Sequence, residues 1–158
     1  MPFTDIVDNI IASLTDKGRE LSDRAPLEGL GWVFAGWSLG REGYDDANPV
    51  LVTPIDATIT AQTALGDQVY PTASTIVPFA ATDFERPNNR SIVTQCRVQR
   101  GTAAANFGIG EIGVWVDITF SPSNPSEVGE RHLFSISHTP IQAITFNTAK
   151  VWRVIHNF

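Results

Sequence analysis

Short alternating patterns of apolar and polar residues occupy most of the chain from residue 31 onward. The clearest is VWVDITF at residues 114–120, where apolar side chains ending on Phe120 alternate with Asp117 and Thr119. A strand with this period buries one face and leaves the other in water or under another element. Similar β-rich runs bounded by Gly, Pro, Asn and Asp predict further strands over residues 31–39, 57–63, 75–79, 91–97, 133–137 and 150–156. The pattern indicates a mainly β fold, an antiparallel β-sandwich or a barrel-like domain.

The first part of the chain shows a longer spacing of its apolar residues. Ile6, Ile10, Leu14 and Leu21 fall near helical spacing, and Thr4 lies where an N-cap hydroxyl would accept a hydrogen bond from a free N–H group. These residues predict one amphipathic N-terminal α-helix over residues 4–21. The helix either covers the core of its own domain or serves as a docking arm for a neighbouring subunit.

Glycine and proline residues in and after this segment predict where the helix ends and the next region begins. Gly18 weakens the last turn of the predicted helix, and Pro26 ends it because proline cannot donate to the helical ladder. A hinge or linker is expected over residues 23–30. The expected organisation is therefore an N-terminal helix with its linker (residues 1–30) followed by a β-rich domain (residues 31–158).

Composition narrows the classes of function. The chain has 158 residues, of which 42% are hydrophobic and only 18% charged. This length is sufficient for one hydrophobic core, and the low share of charged residues indicates buried interfaces. A formal net charge of −6 and a pI near 4.9 argue against a nucleic-acid partner. The longest apolar stretch, residues 29–39, is too short and too rich in glycine to span a bilayer.

The cysteine count and the first residues indicate the cellular compartment in which the chain is expected to fold. Cys96 is the only cysteine, which excludes an internal disulfide and a cysteine-rich zinc site and suits a reducing cytoplasm. The opening MPFTD carries an acidic residue where a secretory signal would carry basic ones. Folding in a cytoplasm without export is the expectation.

The segment GIGEIG at residues 108–113 formally matches the G-x-G-x-x-G pattern of dinucleotide-binding loops. A strand-like run follows it instead of a helix, and Glu111 would place a carboxylate where the phosphate must lie. The segment instead predicts a glycine-rich turn or bulge that leads into a strand.

The oxygens of Asp45, Asp46 and Asn48 are the candidate ligands of a hard cation such as calcium. They lack the regular spacing of a known calcium loop, and Asp and Asn beside Pro49 are also what a tight turn requires. A turn is the favoured interpretation of these residues, and no cofactor is expected.

Candidate catalytic side chains do not form a recognisable motif. His132, His138 and His156 occur with Ser135 and Ser137, but none lies in a G-x-S-x-G elbow or an H-E-x-x-H helix. The acids Glu127 and Glu130 are expected in a loop rather than across a cleft. The sequence therefore predicts a protein without enzymatic activity. The large aromatic side chains of tryptophan are expected partly in the core and partly at an interface. The candidate interface residues are Ile6, Ile10, Leu14, Trp37 and Trp152.

Two stretches resemble small phage tail-associated structural proteins and the attachment modules of tail fibres. The first contains GWSLGREGYD at residues 36–45, NPVLVTPI at 48–55 and LGDQVYP at 65–71. The second contains GEIGVW at residues 110–115, SP at 121–122, EVG at 127–129, LF at 133–134 and HTPI at 138–141. The similarity covers about half the chain and is one of spacing, not of chemical signature.

The resemblance implies a structural subunit of a virion. It implies other virion structural proteins as partners and a homo-oligomer, either a trimer or a hexameric ring, found in the virion and in the host cytoplasm during assembly. Within that class the chain is expected to be a tail, baseplate or fibre-adaptor subunit. The alternatives are a capsid decoration or neck connector protein and a glycan- or receptor-binding module that uses exposed Trp and Tyr residues.

Overall fold

Two β-sheets packed face to face and a separate two-stranded hairpin form the structure, a computed structural model that describes residues 6–41, 44–45, 48–52, 57–72, 74–99, 107–144 and 149–158. The strands are β1 (Ile6–Ile11), β2 (Ser13–Leu14), β3 (Gly31–Gly40), β4 (Tyr44–Asp45), β5 (Asn48–Val52), β6 (Gln68–Tyr70), β7 (Val77–Pro78), β8 (Phe84–Asn88), β9 (Ser91–Val98), β10 (Phe107–Phe120), β11 (Arg131–Ile144) and β12 (Lys150–Asn157). The helices are α1 (Asp16–Glu28) and the single turn α2 (Ala57–Thr60). Two 3-10 turns cover Ala81–Asp83 and Pro125–Glu127.

Sheet A has the strand order β1-β12-β9-β8, and sheet B has the order β2-β11-β10-β3-β6 with β7 also paired to β3. Pairing is antiparallel throughout except between β1 and β12, which run parallel. The main core lies between the sheets and holds Trp37, Ile112 and Val114 from sheet B against Cys96 and Trp152 from sheet A. The predicted mainly β, sandwich-like fold is confirmed, and the described strands do not close into a barrel.

The predicted helix over residues 4–21 is wrong in its position. Residues 6–14 form β1 and β2, and the helix runs instead from Asp16 to Glu28. Thr15 is the N-cap, with its Oγ1 accepting a hydrogen bond from the Gly18 N–H at 2.9 Å. Thr4, the predicted cap, lies outside the described residues. Because four of the six residues in the run IVDNII are β-branched, it favours a strand, and pairing with β12 partly buries its inner face.

The expected hinge over residues 23–30 is also wrong, since most of it is helical. Pro26 lies within the last turn of α1 without ending the helix, which stops at Gly29, whose φ is 72°. That left-handed conformation is the one glycine supplies at a helix C-cap. The helix covers its own core, because Leu21 is fully buried beside Val116, Ile118 and Phe134.

Most predicted strands are confirmed, and the long ones extend beyond their predicted ends. Two predictions fail in detail: residues 57–60 form the helical turn α2, and the predicted strand over 75–79 is reduced to the two residues of β7. Phe120, expected on the buried face of β10, is 60% exposed, because a register irregularity between Ile118 and Phe120 ends the alternation.

The glycine-rich segment lies inside β10, not before it. A register irregularity between Ile109 and Glu111 marks the predicted bulge, and strand rather than helix follows. Gly113 is packed closely, because a Cβ there would come within 3.0 Å of Leu65 and Leu133 side chains. In the described part of the chain, no helix is long and apolar enough to cross a membrane.

A change of sheet at Ala12 closes one side of the sandwich. The Ala12 N–H donates to the Ile155 carbonyl in sheet A at 2.9 Å, while the next two residues pair with Ile136 and Ser135 of β11 in sheet B. One short segment thus connects both sheets at the β1 side. On the opposite side, β3 and β8 line an open groove between the layers.

Candidate functional site: an apolar groove between the sheets

The residues proposed as an interface lie mostly inside the fold. Trp152 is fully buried and Trp37 is 2% exposed, so both rings are core residues and do not reach a neighbouring subunit. Ile10 and Leu14 are partly buried and pack against the two main core clusters. Their strand positions, which turn these side chains inward, explain the difference from the sequence interpretation. The side chain of Ile6 lies outside the described ones.

The candidate cation ligands lie at a hairpin. The backbones of Asp45 and Asn48 pair directly between β4 and β5, as the turn interpretation requires. Their side chains, and all of Asp46, lie outside what the structure describes. Among the described residues, no three His, Cys, Asp or Glu side chains gather where they would hold a metal ion.

Ser135 and His156 are the one Ser–His pair among the described residues whose side chains meet within hydrogen-bonding distance. Ser135 Oγ lies 2.8 Å from His156 Nε2, and the contact joins sheet B to sheet A. Both residues are fully buried, with the rings of Phe34 and Phe134 beside the imidazole. Burial lowers the pKa of His156 to about 4, so the ring is neutral near pH 7. An enclosed neutral pair that no substrate reaches acts as a cross-sheet hydrogen bond.

Glu111 and His138 form a second enclosed pair. Glu111 is fully buried, and its Oε2 lies 3.9 Å from His138 Nε2. The Asp67 N–H donates to Glu111 Oε1 at 3.2 Å. Gly40 makes room for this carboxylate, because a Cβ there would come within 2.7 Å of Glu111 Cγ. From the sequence, Glu111 was considered only as a carboxylate that would repel phosphate. In the structure its hydrogen bond from the Asp67 N–H connects β10 to the loop before β6.

An open groove lies between the sheets on the side away from Ala12. It has a volume of about 530 Å³ and is lined mainly by apolar surface from β3, β8 and β9. A smaller depression of about 240 Å³ shares three of its residues and extends it towards Arg90 and Phe158. We refer to the larger cavity as the Trp32 groove, and its lining residues are Trp32, Val33, Phe34, Phe84, Glu85, Arg86 and Ile92.

Aromatic rings give the Trp32 groove its shape. The Trp32 and Phe34 rings meet edge to face with centroids 5.2 Å apart, and Phe34 contacts Phe84 across the two sheets at 6.0 Å. Phe79 supports Phe84 from behind at 5.2 Å. Such ring contacts hold a surface in place, since aromatic side chains have few rotatable bonds and pack with preferred geometry. Phe84 nevertheless remains 37% exposed.

The charges at the Trp32 groove differ in sign from the protein as a whole. Glu85 is held by Arg153, whose Nε lies 2.9 Å from Glu85 Oε2, and this contact lowers the pKa of Glu85 below its usual range. Arg86 and Arg90 are exposed along the groove and its extension. A protein of net charge −6 thus presents an apolar groove beside two guanidinium groups. Such a surface suits an apolar or aromatic side chain accompanied by a carboxylate.

Sequence reasoning missed the groove because its walls come from distant strands. The chain offered one usable signal, an apolar Phe84 followed by Pro87 shortly before the polar pair Asn88 and Asn89, which is typical of a short edge strand ending in a turn. Pro87 also suits an edge strand, where its missing N–H is harmless. A turn at Asn89 and Arg90 joins β8 to β9, with the Arg90 N–H donating to Asn88 Oδ1 at 2.8 Å.

Comparison with known proteins gives no assignment: no family model, no curated protein and no solved structure matches this chain.

Proposed function

We propose that this protein is a non-enzymatic structural subunit of a bacteriophage particle, a tail, baseplate or fibre-adaptor component that docks on neighbouring subunits. The observation that supports docking is the Trp32 groove, an exposed aromatic surface on a chain with few charges. The assignment to a phage rests on the resemblance of residues 36–71 and 110–141 to tail-associated proteins.

The chemistry of the described residues supports a binding role over a catalytic one. The two histidines with nearby partners in the interior, His156 and His138, are 0% and 5% exposed in their side chains. The accessible His132 pairs with Glu130 at 3.1 Å on the surface. Where a ligand would fit, at the Trp32 groove, the lining is mainly aromatic and aliphatic and carries no nucleophile beside a base.

Replacement of Phe84 tests the docking role. We expect Phe84→Ser to lower incorporation into purified particles by at least about tenfold, as loss of an aromatic anchor at a protein interface does. Phe120→Ser is the matched control, since it is the same change at a 60% exposed phenylalanine outside the groove lining. Thermal unfolding of both variants verifies that each is folded at the assembly temperature.

Three results are informative. If purified particles lack the Phe84→Ser variant but contain the Phe120→Ser variant, docking through the groove is supported. Equal incorporation of the two variants contradicts it. Complete absence of the wild-type protein from particles overturns the virion assignment itself. Labelling of intact particles separates the locations, because a tail or baseplate subunit marks one tail end while a capsid decoration protein marks the shell.

A glycan-binding module is the second candidate, and one observation favours it. Trp32 lies partly exposed in the groove near Arg86 and Asn89, and an indole beside polar groups is a surface on which a sugar ring can stack. Titration with host surface glycans would then change tryptophan fluorescence in the wild type but not in Trp32→Phe. A flat wild-type response contradicts this candidate.

A further inference from the structure

Strand β1 has a free edge in the part of the chain that the structure describes. It is the outermost strand of sheet A and pairs with β12 along one side. The Ala12 N–H points towards β12, where it donates to Ile155. Because the backbone groups of successive strand residues alternate in direction, those of Val7, Asn9 and Ile11 point away from β12. The Ile11 carbonyl confirms this direction, since it faces Ser137 Oγ of the other sheet at 3.5 Å.

Among the described residues, this edge has neither the proline nor the bulge that usually prevents strand addition. The β1–β12 register runs through six consecutive pairs without a bulge, and β1 contains no proline. The other edge of the sheet, β8, has both Pro87 and a register irregularity between Glu85 and Asn88. The charge of Asp8, the one charged residue of β1, is balanced by Lys150. Val7 and Ile11 are 50% and 67% exposed.

We propose that a second copy of this chain pairs its β1 with this edge, antiparallel, about a two-fold axis at Asn9. In that register Asn9 lies opposite Asn9 of the other copy, and Val7 lies opposite Ile11. All three residues have backbone groups that point away from β12, so the Asn9 pair exchanges two hydrogen bonds in the geometry of an antiparallel ladder. The Ile11 carbonyl already accepts from Ser137 Oγ at 3.5 Å, so each Val7–Ile11 pair adds the bond from the Ile11 N–H to the Val7 carbonyl. The two four-stranded sheets become one continuous sheet across both subunits.

The pattern of side chains is what selects a second copy as the occupant. An isologous contact requires that residue i meet residue j and that j meet i. Along β1, the apolar residues Val7 and Ile11 lie on either side of the polar Asn9 at the axis. The exposed Val7 of each copy therefore lies opposite the exposed Ile11 of the other, and neither side chain faces a polar group. Asp8 falls opposite Ile10, so the two carboxylates are not directly opposed.

This pairing deepens the proposed assembly role and rests on it for its purpose, but it can be measured without a particle. A single pair of short strands buries less area than a standard protein interface, so a dissociation constant near the micromolar range is expected. Sedimentation equilibrium of the full chain over a wide concentration range therefore measures the dimer directly.

Proline at the axis tests the edge without disturbing the fold. The Asn9 N–H points away from β12, so Asn9→Pro removes an outward donor and leaves the β1–β12 ladder intact. We expect it to weaken dimerisation at least about tenfold, whereas Asn9→Thr, which also loses the side-chain contact to Arg153 but keeps the N–H, dimerises nearly as the wild type does. Circular dichroism confirms that both variants fold.

Cysteine cross-linking tests the register. In an antiparallel hydrogen-bonded pair the Cα atoms lie about 5.5 Å apart, within disulfide range, so Asn9→Cys should cross-link to its own copy under mild oxidation. Val7→Cys should not, because the two Val7 positions lie four residues apart in this register, about 14 Å. Cys96 is fully buried and does not interfere.

Each outcome has a defined meaning. A wild-type protein that stays monomeric at the highest concentrations, an Asn9→Pro variant that still dimerises, or cross-linking of Val7→Cys in place of Asn9→Cys overturns the pairing. If Asn9→Pro is monomeric yet assembles normally into particles, the pairing exists without the assembly purpose. If the wild type dimerises but is absent from particles, the proposed function fails and the pairing stands.

Discussion

Ionisable side chains in or near the core make the fold sensitive to acid in two successive pH ranges. His156 is buried among aromatic rings with Ser135 as its partner, and Glu127 is bound by Arg24 and Ser121. Burial lowers the pKa of the first, and hydrogen bonds from Arg24 and Ser121 lower the pKa of the second. Because the unfolded chain has ordinary pKa values, each group links proton uptake to unfolding.

For His156 we expect stability to fall as the pH drops from about 6.5 towards 4. Between these values the unfolded chain takes up a proton that the folded chain refuses, since the folded pKa is lowered to about 4. The linked loss reaches about 3 kcal/mol at the lower end. Urea unfolding of the wild type and His156→Gln from pH 8 to pH 4 measures it, and parallel curves for the two proteins would contradict the assignment.

Glu127 should act at lower pH. Its folded pKa of about 2 means that its stabilising contacts are complete above the ordinary glutamate value near 4.5 and are lost as the pH falls through that range towards 2. The thermal midpoint of the wild type should therefore exceed that of Glu127→Gln at pH 7 and approach it near pH 2.5. A difference between the two midpoints that does not change with pH would show that the contact is not charge-dependent.

At the scale of elements, α1 is fixed by how closely its first turn approaches β11. The Thr15 N–H donates to the Phe134 carbonyl at 3.0 Å, and Thr15 Oγ1 donates to the Leu133 carbonyl at 2.6 Å. Gly18 permits the approach, since a Cβ there would meet the Phe134 carbonyl. One cap residue thus both starts the helix and attaches it to sheet B.

Alanine at Gly18 should reverse the usual effect of this substitution. In an exposed helix, Gly→Ala stabilises by about 0.5–1 kcal/mol. Here we expect a loss of about 1–3 kcal/mol, because the added methyl group collides with rigid backbone rather than with a mobile side chain. Ser22→Ala in the same helix serves as control and should stabilise by a few tenths of a kcal/mol. Chemical denaturation compares the two, and a stabilised Gly18→Ala would disprove the close approach.

The helix was misplaced because the spacing of its apolar residues fits two structures. Positions four apart, such as Ile6 and Ile10, share a face of a helix but also a face of a strand. The β-branched side chains and a partner strand at β12 decided for the strand, and only the first of these is visible in the sequence. Strands 31–39 and 114–120 were predictable because their β-rich runs and alternation fit no helix. The groove was not predictable, because Trp32 and Phe84 line it from two different sheets.

On the scale of the whole molecule, both sheets close over one thiol. Cys96 is fully buried in the core cluster that also contains Trp37 and Trp152, and burial raises its pKa well above the usual thiol value. A buried protonated thiol is a poor nucleophile. Its reactivity therefore reports whether the two sheets have separated.

We expect Cys96 to react with a thiol reagent only when the entire sandwich opens. At a reagent concentration where labelling of the open state outpaces refolding, the labelling rate should match the rate of global unfolding measured by fluorescence and should rise in parallel with it as urea is added. Labelling much faster than unfolding, in protein whose circular dichroism is unchanged, would show that the sheets separate locally.

The parallel pairing of β1 with β12 has a consequence for the order of events during synthesis. The partner of Ile6 is Lys150, so the first and last strands of sheet A lie at opposite ends of the chain. Until β12 has emerged from the ribosome, β1 of the nascent chain lacks the strand with which it pairs. Closing so long a loop costs entropy before any contact compensates for it, which makes this kind of pairing a late step. Every strand of sheet B precedes β12 in the chain, so sheet B can be completed before sheet A during synthesis.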